Sequence, residues 1–263
     1  MRVTASGLVM AGLLTAVSAC TAADPPQADA PASASAPGAA ATAAERAAPA
    51  SPGASPGTPA LTVEQAQAAL IGEGDLGVPW TATEGTATWH DELLKAATGE
   101  PDCQRLLKAL YTDELLGAPA GPRAATALDD GDDAAQLRYQ VDASRSADVD
   151  RTLAWLRALP RTCAQFTART TAAGTETVQV ADAGLRDFGD ARQGLRITVT
   201  AQPSAAADPT TLTLDVAVVR IGDDAIVLTA GALGTLPDTT TEQALGIGVQ
   251  RLAQVRERGR AQA

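Results

Sequence analysis

Leu195-Arg196-Ile197-Thr198-Val199-Thr200 and, a short way on, Leu212-Thr213-Leu214-Asp215-Val216-Ala217-Val218-Val219 decide the fold class. In the first stretch Leu195, Ile197 and Val199 point one way and Arg196, Thr198 and Thr200 the other, the period of a strand. Leu212, Leu214, Val216 and Val218 repeat it, and Gly222-Asp223 predicts a turn into a further strand at Ala225–Thr229. Thr177–Val180 carries the same β-branched signature on the upstream side. Two more strands are predicted at Ala124–Leu128 and Leu137–Val141, joined by the acidic turn Asp129-Asp130-Gly131-Asp132-Asp133. In the second of these, Leu137, Tyr139 and Val141 alternate with Arg138, Gln140 and Asp142.

Around these strands the spacing changes to that of helices. Thr62 is placed to cap a helix through Val63, Ala66 and Leu70, with Gly72 and Gly74 ending it. Pro101 at a first helical position leads Cys103, Leu106, Leu107, Leu110 and Leu115 along one apolar face. Ser146 is expected to cap a helix carrying Val149, Leu153, Leu156 and Leu159, and Pro160 to stop it. A closing helix, about Thr239 to Arg258, aligns Leu245, Val249, Leu252 and Val255. Helices, a hairpin, a helix, a run of strands and a closing helix predict an α+β fold: a single twisted antiparallel sheet with helices packed on it.

Upstream of this domain the composition changes twice. Residues 1–19 have the layout of a secretory signal. Arg2 is the only charge before position 24, Gly7–Val17 form an apolar run too short to span ~30 Å of bilayer as a helix, and small residues precede Cys20. Ser18-Ala19-Cys20 resembles the lipobox of bacterial lipoproteins. The Cys20 thiol would take a diacylglyceryl or palmitate-type lipid and become the mature N-terminus. From Thr21 to Pro59 the chain has no Leu, Ile, Val or aromatic residue. Such a segment cannot offset the entropy of ordering and is expected to be a disordered tether reaching about 35 Å on average. The expected organisation is a signal peptide at 1–19, lipidated Cys20 and tether at 20–60, and one folded domain at 61–263.

The chain carries a formal net charge of −11, and loss of the signal peptide removes one further positive charge. So acidic a surface is repelled by anionic headgroups and nucleic acid. The membrane contact is therefore expected to run through the Cys20 lipid alone, on the extracytoplasmic face, with no nucleic-acid partner. Two Lys, no Asn and abundant Ala, Arg and Gly give the impression of a high-GC, actinobacterial genome.

With Cys20 given to lipid, Cys103 and Cys163 remain as a pair, and an even pair in an oxidising compartment reads as a disulfide. Metal binding lacks partners, since the one histidine is His90 and no C-x-x-C occurs. A catalytic cysteine would need a base. No metal or cofactor is expected.

Three apparent motifs dissolve in context. Gly53-Ala54-Ser55-Pro56-Gly57 matches the G-x-S-x-G nucleophile pattern but lies in Pro-rich coil. Gly72-Glu73-Gly74-Asp75-Leu76-Gly77 matches a dinucleotide fingerprint but follows a helix, and its carboxylates would repel a pyrophosphate. The Asp129–Asp133 turn lacks the order of a calcium loop. His90 beside Asp91 and Glu92 invites acid–base chemistry, without a nucleophile nearby, and reads as a surface histidine ahead of a short helix. Trp155 reads as core packing. Trp80 and Trp89 lie in loop-rich sequence where a cleft could form, and are the candidate ligand-binding residues.

The order of elements resembles the PknH-like extracellular sensor domains of actinobacteria, found on receptor kinases and as free-standing lipoproteins. The residues that carry the likeness are the lipobox and tether, Asp75-Leu76-Gly77-Val78-Pro79-Trp80-Thr81, the Cys103 helix, the helix Asp150–Leu159 with Cys163 just beyond, and a strand-rich half closed by an amphipathic helix. It covers about Leu61 to Arg258. It implies a central antiparallel sheet flanked by helices and a cleft for an unidentified ligand. The kinase sensor carries two disulfides where this chain can form one. With neither a kinase domain nor a membrane-spanning segment in its sequence, the chain is not expected to signal across a membrane by itself. The expected function is a non-enzymatic, surface-anchored binding or sensor domain for a small molecule or cell-envelope component. The alternative is a protein-interaction module docking on a membrane or cell-wall partner.

Overall fold

The computed structural model describes residues 61–262, apart from 84, 119, 132–134 and 202–208. The signal, lipobox and tether readings, and the Gly53–Gly57 motif, lie outside the described residues.

The fold is α+β, one eight-stranded antiparallel sheet with helices on it and a single disulfide, Cys103–Cys163. In chain order the elements are α1 (Val63–Ala68), α2 (Glu73–Leu76), β1 (Trp80–Ala82), a π-helical turn (His90–Leu94), α3 (Pro101–Tyr111), β2 (Arg123–Asp130), β3 (Ala135–Ala143), α4 (Ser146–Thr162), β4 (Gln165–Thr170), β5 (Gly174–Asp182), β6 (Ala191–Ala201), β7 (Thr210–Ile221), β8 (Asp224–Leu233) and α5 (Asp238–Gln262). The strands run β1-β2-β3-β8-β7-β6-β5-β4 across the sheet, every pair antiparallel.

The alternation read from the sequence sorts the residues onto two sides. Leu195, Ile197, Val199, Leu212, Leu214, Val216 and Val218 face α3, α4 and the π turn in one core. Ala217, Val219, Ile226, Leu228, Leu137, Tyr139 and Val141 face α1 and α5 in the other. Burying each such aliphatic side chain contributes roughly 1.5–3 kcal/mol.

Several local expectations need correction. Pro160 does not stop α4, which continues to Thr162. Proline deletes one backbone donor, and in this last turn buried Leu159 and the bridge at Cys163 hold the chain in place. Ser146 is the first helical residue rather than the cap, and its N–H donates to Asp223 Oδ1 at 3.2 Å from a neighbouring turn. Gly72 does not end a helix; its N–H bonds Asp75 Oδ2 at 2.7 Å and it opens the short turn α2, while α1 ends at Ala68. Thr62 caps α1 as read, in a capping box with Gln65. The helix begun at Pro101 ends at Tyr111, although Leu115 is still buried. Strands β1 and β4 have no counterpart in the sequence reading.

Candidate functional site

The segment before the π turn is hung on one side chain of the sheet. Gln136 of β3 is buried, and its Oε1 accepts from the N–H of Ala87 at 3.3 Å. Its Nε2 donates to Gly85 O at 3.2 Å, to Thr83 Oγ1 at 3.1 Å and to Asp129 Oδ1 at 2.7 Å. Thr83 Oγ1 in turn donates to Asp129 Oδ2 at 2.5 Å. Asp129 is thus fixed through both carboxylate oxygens by neutral donors, shorter bonds than neutral pairs make because the acceptor is ionic.

Trp89 follows directly and is 5% exposed. Its indole lies against the sheet over Gly231 of β8. A Cβ there would come 2.7 Å from Trp89 Cη2 and 2.5 Å from Leu214 Cδ2, so glycine is what lets the ring down. The indole Nε1 is buried with no hydrogen-bond partner among the described residues. Between the Trp89 segment, the β2–β3 turn and the end of β8 opens a cleft of about 300 Å³, lined by Trp89, Thr88, Asp129, Gly131, Gln136 and Leu233. That is at the small end of ligand pockets, with an apolar wall and a few fixed polar groups.

Trp80 lies elsewhere. It opens β1, pairs with Asp130 and packs half-buried against the α1–α5 core, on the other side of the sheet from Trp89. The cleft does not bring the two tryptophans together. Trp155 is partly buried on α4, with the Arg105 guanidinium 3.9 Å above its ring. His90 is not a surface histidine. It is the first residue of the π turn, its side chain 12% exposed, and it stacks on Tyr111 with ring centroids 5.0 Å apart. Cys103 and Cys163 are bonded, joining α3 to the end of α4. Of the acidic turn, Asp129 and Asp130 belong to β2, and Asp132 and Asp133 lie outside the described residues. Among the described residues no group of three or more His, Cys, Asp or Glu is arranged to hold a metal.

Sequence reading singled out Trp89 but missed Gln136 and Asp129. Both stand on the polar side of their strands. Alternation shows that β3 has a polar row without showing that the row is covered, yet Gln136, Gln140 and Asp142 are all buried. The available signal was the choice of Gln, an uncharged donor and acceptor, opposite Asp129 in a two-strand register.

Two further polar groups mark this side of the sheet. Asp142 is 2% exposed and is held by Arg123, at 2.5 Å from Nε and 3.3 Å from Nη2. Burial nevertheless keeps its carboxyl above the ordinary range. Glu176 of β5 points into the first core with no exposed area and no hydrogen-bond partner for either oxygen among the described residues, and burial pushes its carboxyl up to about 7.

No family model matches the sequence, and no curated protein matches it. Among solved structures the chain is similar to the extracellular domain of PknH from Mycobacterium tuberculosis, at 12% identity and a TM-score of 0.44, over 76% of this chain and 100% of that one. Among the described residues no helix is long and apolar enough to cross a membrane.

Proposed function

We propose that this is a lipoprotein held on the extracytoplasmic face of a membrane through Cys20. Residues 20–60 would serve as its tether and 61–263 as a non-catalytic binding or sensor domain. Its ligand is a small molecule or cell-envelope component seated beside Trp89. The observation that carries the reading is the cleft itself. It offers an aromatic wall from Trp89 together with a carboxylate, Asp129, fixed by Thr83 and Gln136. A flat apolar ring beside a few fixed polar groups is the usual make-up of a small-ligand site, the ring supplying contact area and the polar groups orientation. Trp80, on the other side of the sheet, has no part in it.

The test is thermal melting of the full chain against fractionated envelope extracts. One fraction is expected to raise the midpoint, and Trp89→Phe, which keeps an aromatic ring but shrinks the wall of the cleft, to cut that ligand's affinity about tenfold. A ligand whose affinity ignores Trp89→Phe, or the absence of any stabilising fraction, removes the cleft from consideration. The anchor is checked separately: Cys20→Ala is expected to move the protein from the membrane fraction to the soluble one.

A further inference from the structure

Among the described residues, the side of the sheet that carries α5 is covered over only part of its width. The α1–α5 core lies over β2, β3, β8 and β7, and among the described residues no helix packs on that side of β4, β5 and β6. The side chains left there fall into register. Thr167 of β4 pairs with Thr177 of β5, Thr177 with Thr200 of β6, and Thr200 with Thr211 of β7. The next row reads Gln165, Gln179, Thr198 and Thr213 over the same four strands. Each row therefore sets a hydroxyl or amide about every 4.7–4.9 Å across the strands, with the second row about 6.5–7 Å along them. Threonine suits an exposed strand position through its β-branching. That preference accounts for the residue type and says nothing of two rows in register over four strands.

A third row leads into a cleft. Ala181, Arg196 and Asp215 pair in sequence across β5, β6 and β7, and where α5 begins they line a space of about 430 Å³ with Asp182, Thr241 and Glu242. Arg196 holds Asp215 through two bonds, 2.8 and 2.9 Å, and Thr241 Oγ1 donates to the same carboxylate at 3.2 Å. Leu185 sits over Gly194, where a Cβ would come 2.6 Å from its Cγ, and gives the cleft a small apolar floor. Asp182 accepts from Gln193 at 2.7 Å and Glu242 pairs with Arg186 at 3.0 Å.

We propose that this face binds a neutral, polyhydroxylated glycan chain, laid along the threonine rows with one sugar seated in the cleft beside Arg196 and Asp215. The charges select the ligand class. In a chain of net charge −11 the rows are uncharged and the cleft's carboxylates have cationic or amide partners, so neither a polyanion nor a polycation is favoured. The exposed large apolar side chains among the described residues are Val63, Val78 and Leu233, none of them on these rows, so a lipid or an apolar protein surface has nothing to bury. Alternating donors and acceptors with one small apolar patch match the hydroxyls and the C–H face of a sugar ring. The site is separate from the Trp89 cleft and stands or falls without it.

Titration calorimetry of the full chain with the six-residue oligomers of β-1,4-linked glucose and N-acetylglucosamine tests the proposal. At least one is expected to bind. The double substitution Thr177→Val and Thr200→Val, which keeps the branched shape and removes two hydroxyls, is expected to weaken it about tenfold or more. Thr177→Ser with Thr200→Ser restores the hydroxyls and is expected to stay within about threefold of the parent, which separates lost contacts from a disturbed sheet. Trp89→Phe is expected to leave the glycan affinity unchanged. The proposal is overturned if neither oligomer binds, if the valine pair binds as well as the parent, if the serine pair fails along with the valine pair, if Trp89→Phe abolishes glycan binding, or if only dextran sulfate binds.

Discussion

The two sides of the sheet are held by different means. On one, α3 and α4 are joined by the Cys103–Cys163 bond, and the core beneath them includes Glu176, a carboxylate with no hydrogen-bond partner among the described residues. On the other, no cysteine is present among the described residues. There α5 comes down close because Gly248 carries no side chain; a Cβ would collide with Tyr139 Oη. The short α2 is fastened to α5 by Arg251, whose guanidinium meets Asp75 Oδ2 at 2.8 Å and Oδ1 at 2.5 Å. The α5 side has a buried carboxylate of its own, but one with a cation beside it: Asp224, 1% exposed, meets Arg256 of α5 at 2.8 Å, and burial still pushes its carboxyl up to about 6. The pH dependence should separate Glu176 from Asp75, whose carboxyls shift in opposite directions.

Breaking the bond is the largest perturbation. The bridge spans 60 residues of sequence, so in the chain-entropy picture its loss costs about 4 kcal/mol. Replacing both Cys103 and Cys163 by Ala should lower the melting midpoint by roughly 8–16 °C. Hydrogen exchange localises the effect: amides of α3 and α4 should lose protection while those of α5 keep theirs. Equal loss on both sides would show that the two cores open as one unit and that the contrast has no energetic content.

The second prediction concerns the cost that the closed layer carries. Glu176 has an ordinary carboxyl value of 4.5, raised by burial to about 7 in the folded chain. Between those values the folded state binds more protons than the unfolded one, so stability falls as pH rises through the window from about 4.5 to 7 and is level above it. Glu176→Gln keeps the shape without the charge. It is expected to stabilise the protein on the order of 2 kcal/mol at pH 8 and to lessen the fall of its stability between pH 5 and 7, the part that remains belonging to Asp224, which burial raises to about 6. A variant that is no more stable than the parent at pH 8 would mean that Glu176 has a partner when the charge is present.

How far these features could be read in advance follows one rule: patterns of like residues are legible and exceptions within them are not. The alternation at 195–200 and 212–219 predicted which side chains face which core. The sequence reading begins β5 at Thr177, on its β-branched pattern, and so leaves the buried carboxylate of Glu176 outside the strand that buries it. Strand β4 has only Phe166 and Ala168 facing the core, too few to show a period, and β1 is three residues long. Trp89 stood out by rarity. Asp129 read as part of an acidic turn and Gln136 stood out in no pattern, and the threonine rows depend on a register that no single strand contains.

The smallest expected effect belongs to one ion pair on the other side, Arg251–Asp75. Arg251 holds the Asp75 carboxyl below its ordinary value, chiefly through the hydrogen bond between them. Both side chains are partly exposed, 21% for Asp75 and 31% for Arg251, so solvent screens the pair. Asp75→Asn should therefore cost only about 1 kcal/mol at pH 7, part of it from the altered bond to the Gly72 N–H. The sign is opposite to that of Glu176. A depressed carboxyl contributes stability above its unfolded value and loses it as pH falls through the folded one, so parent and Asn variant should converge in acid. Added salt should narrow the difference at pH 7 as well, whereas it should leave the effect of Glu176→Gln almost untouched, because a group buried in an apolar core is screened far less than one at the surface. A gap that persists undiminished at pH 3 and in 1 M salt would assign the loss to the helix cap at Gly72 rather than to the ion pair.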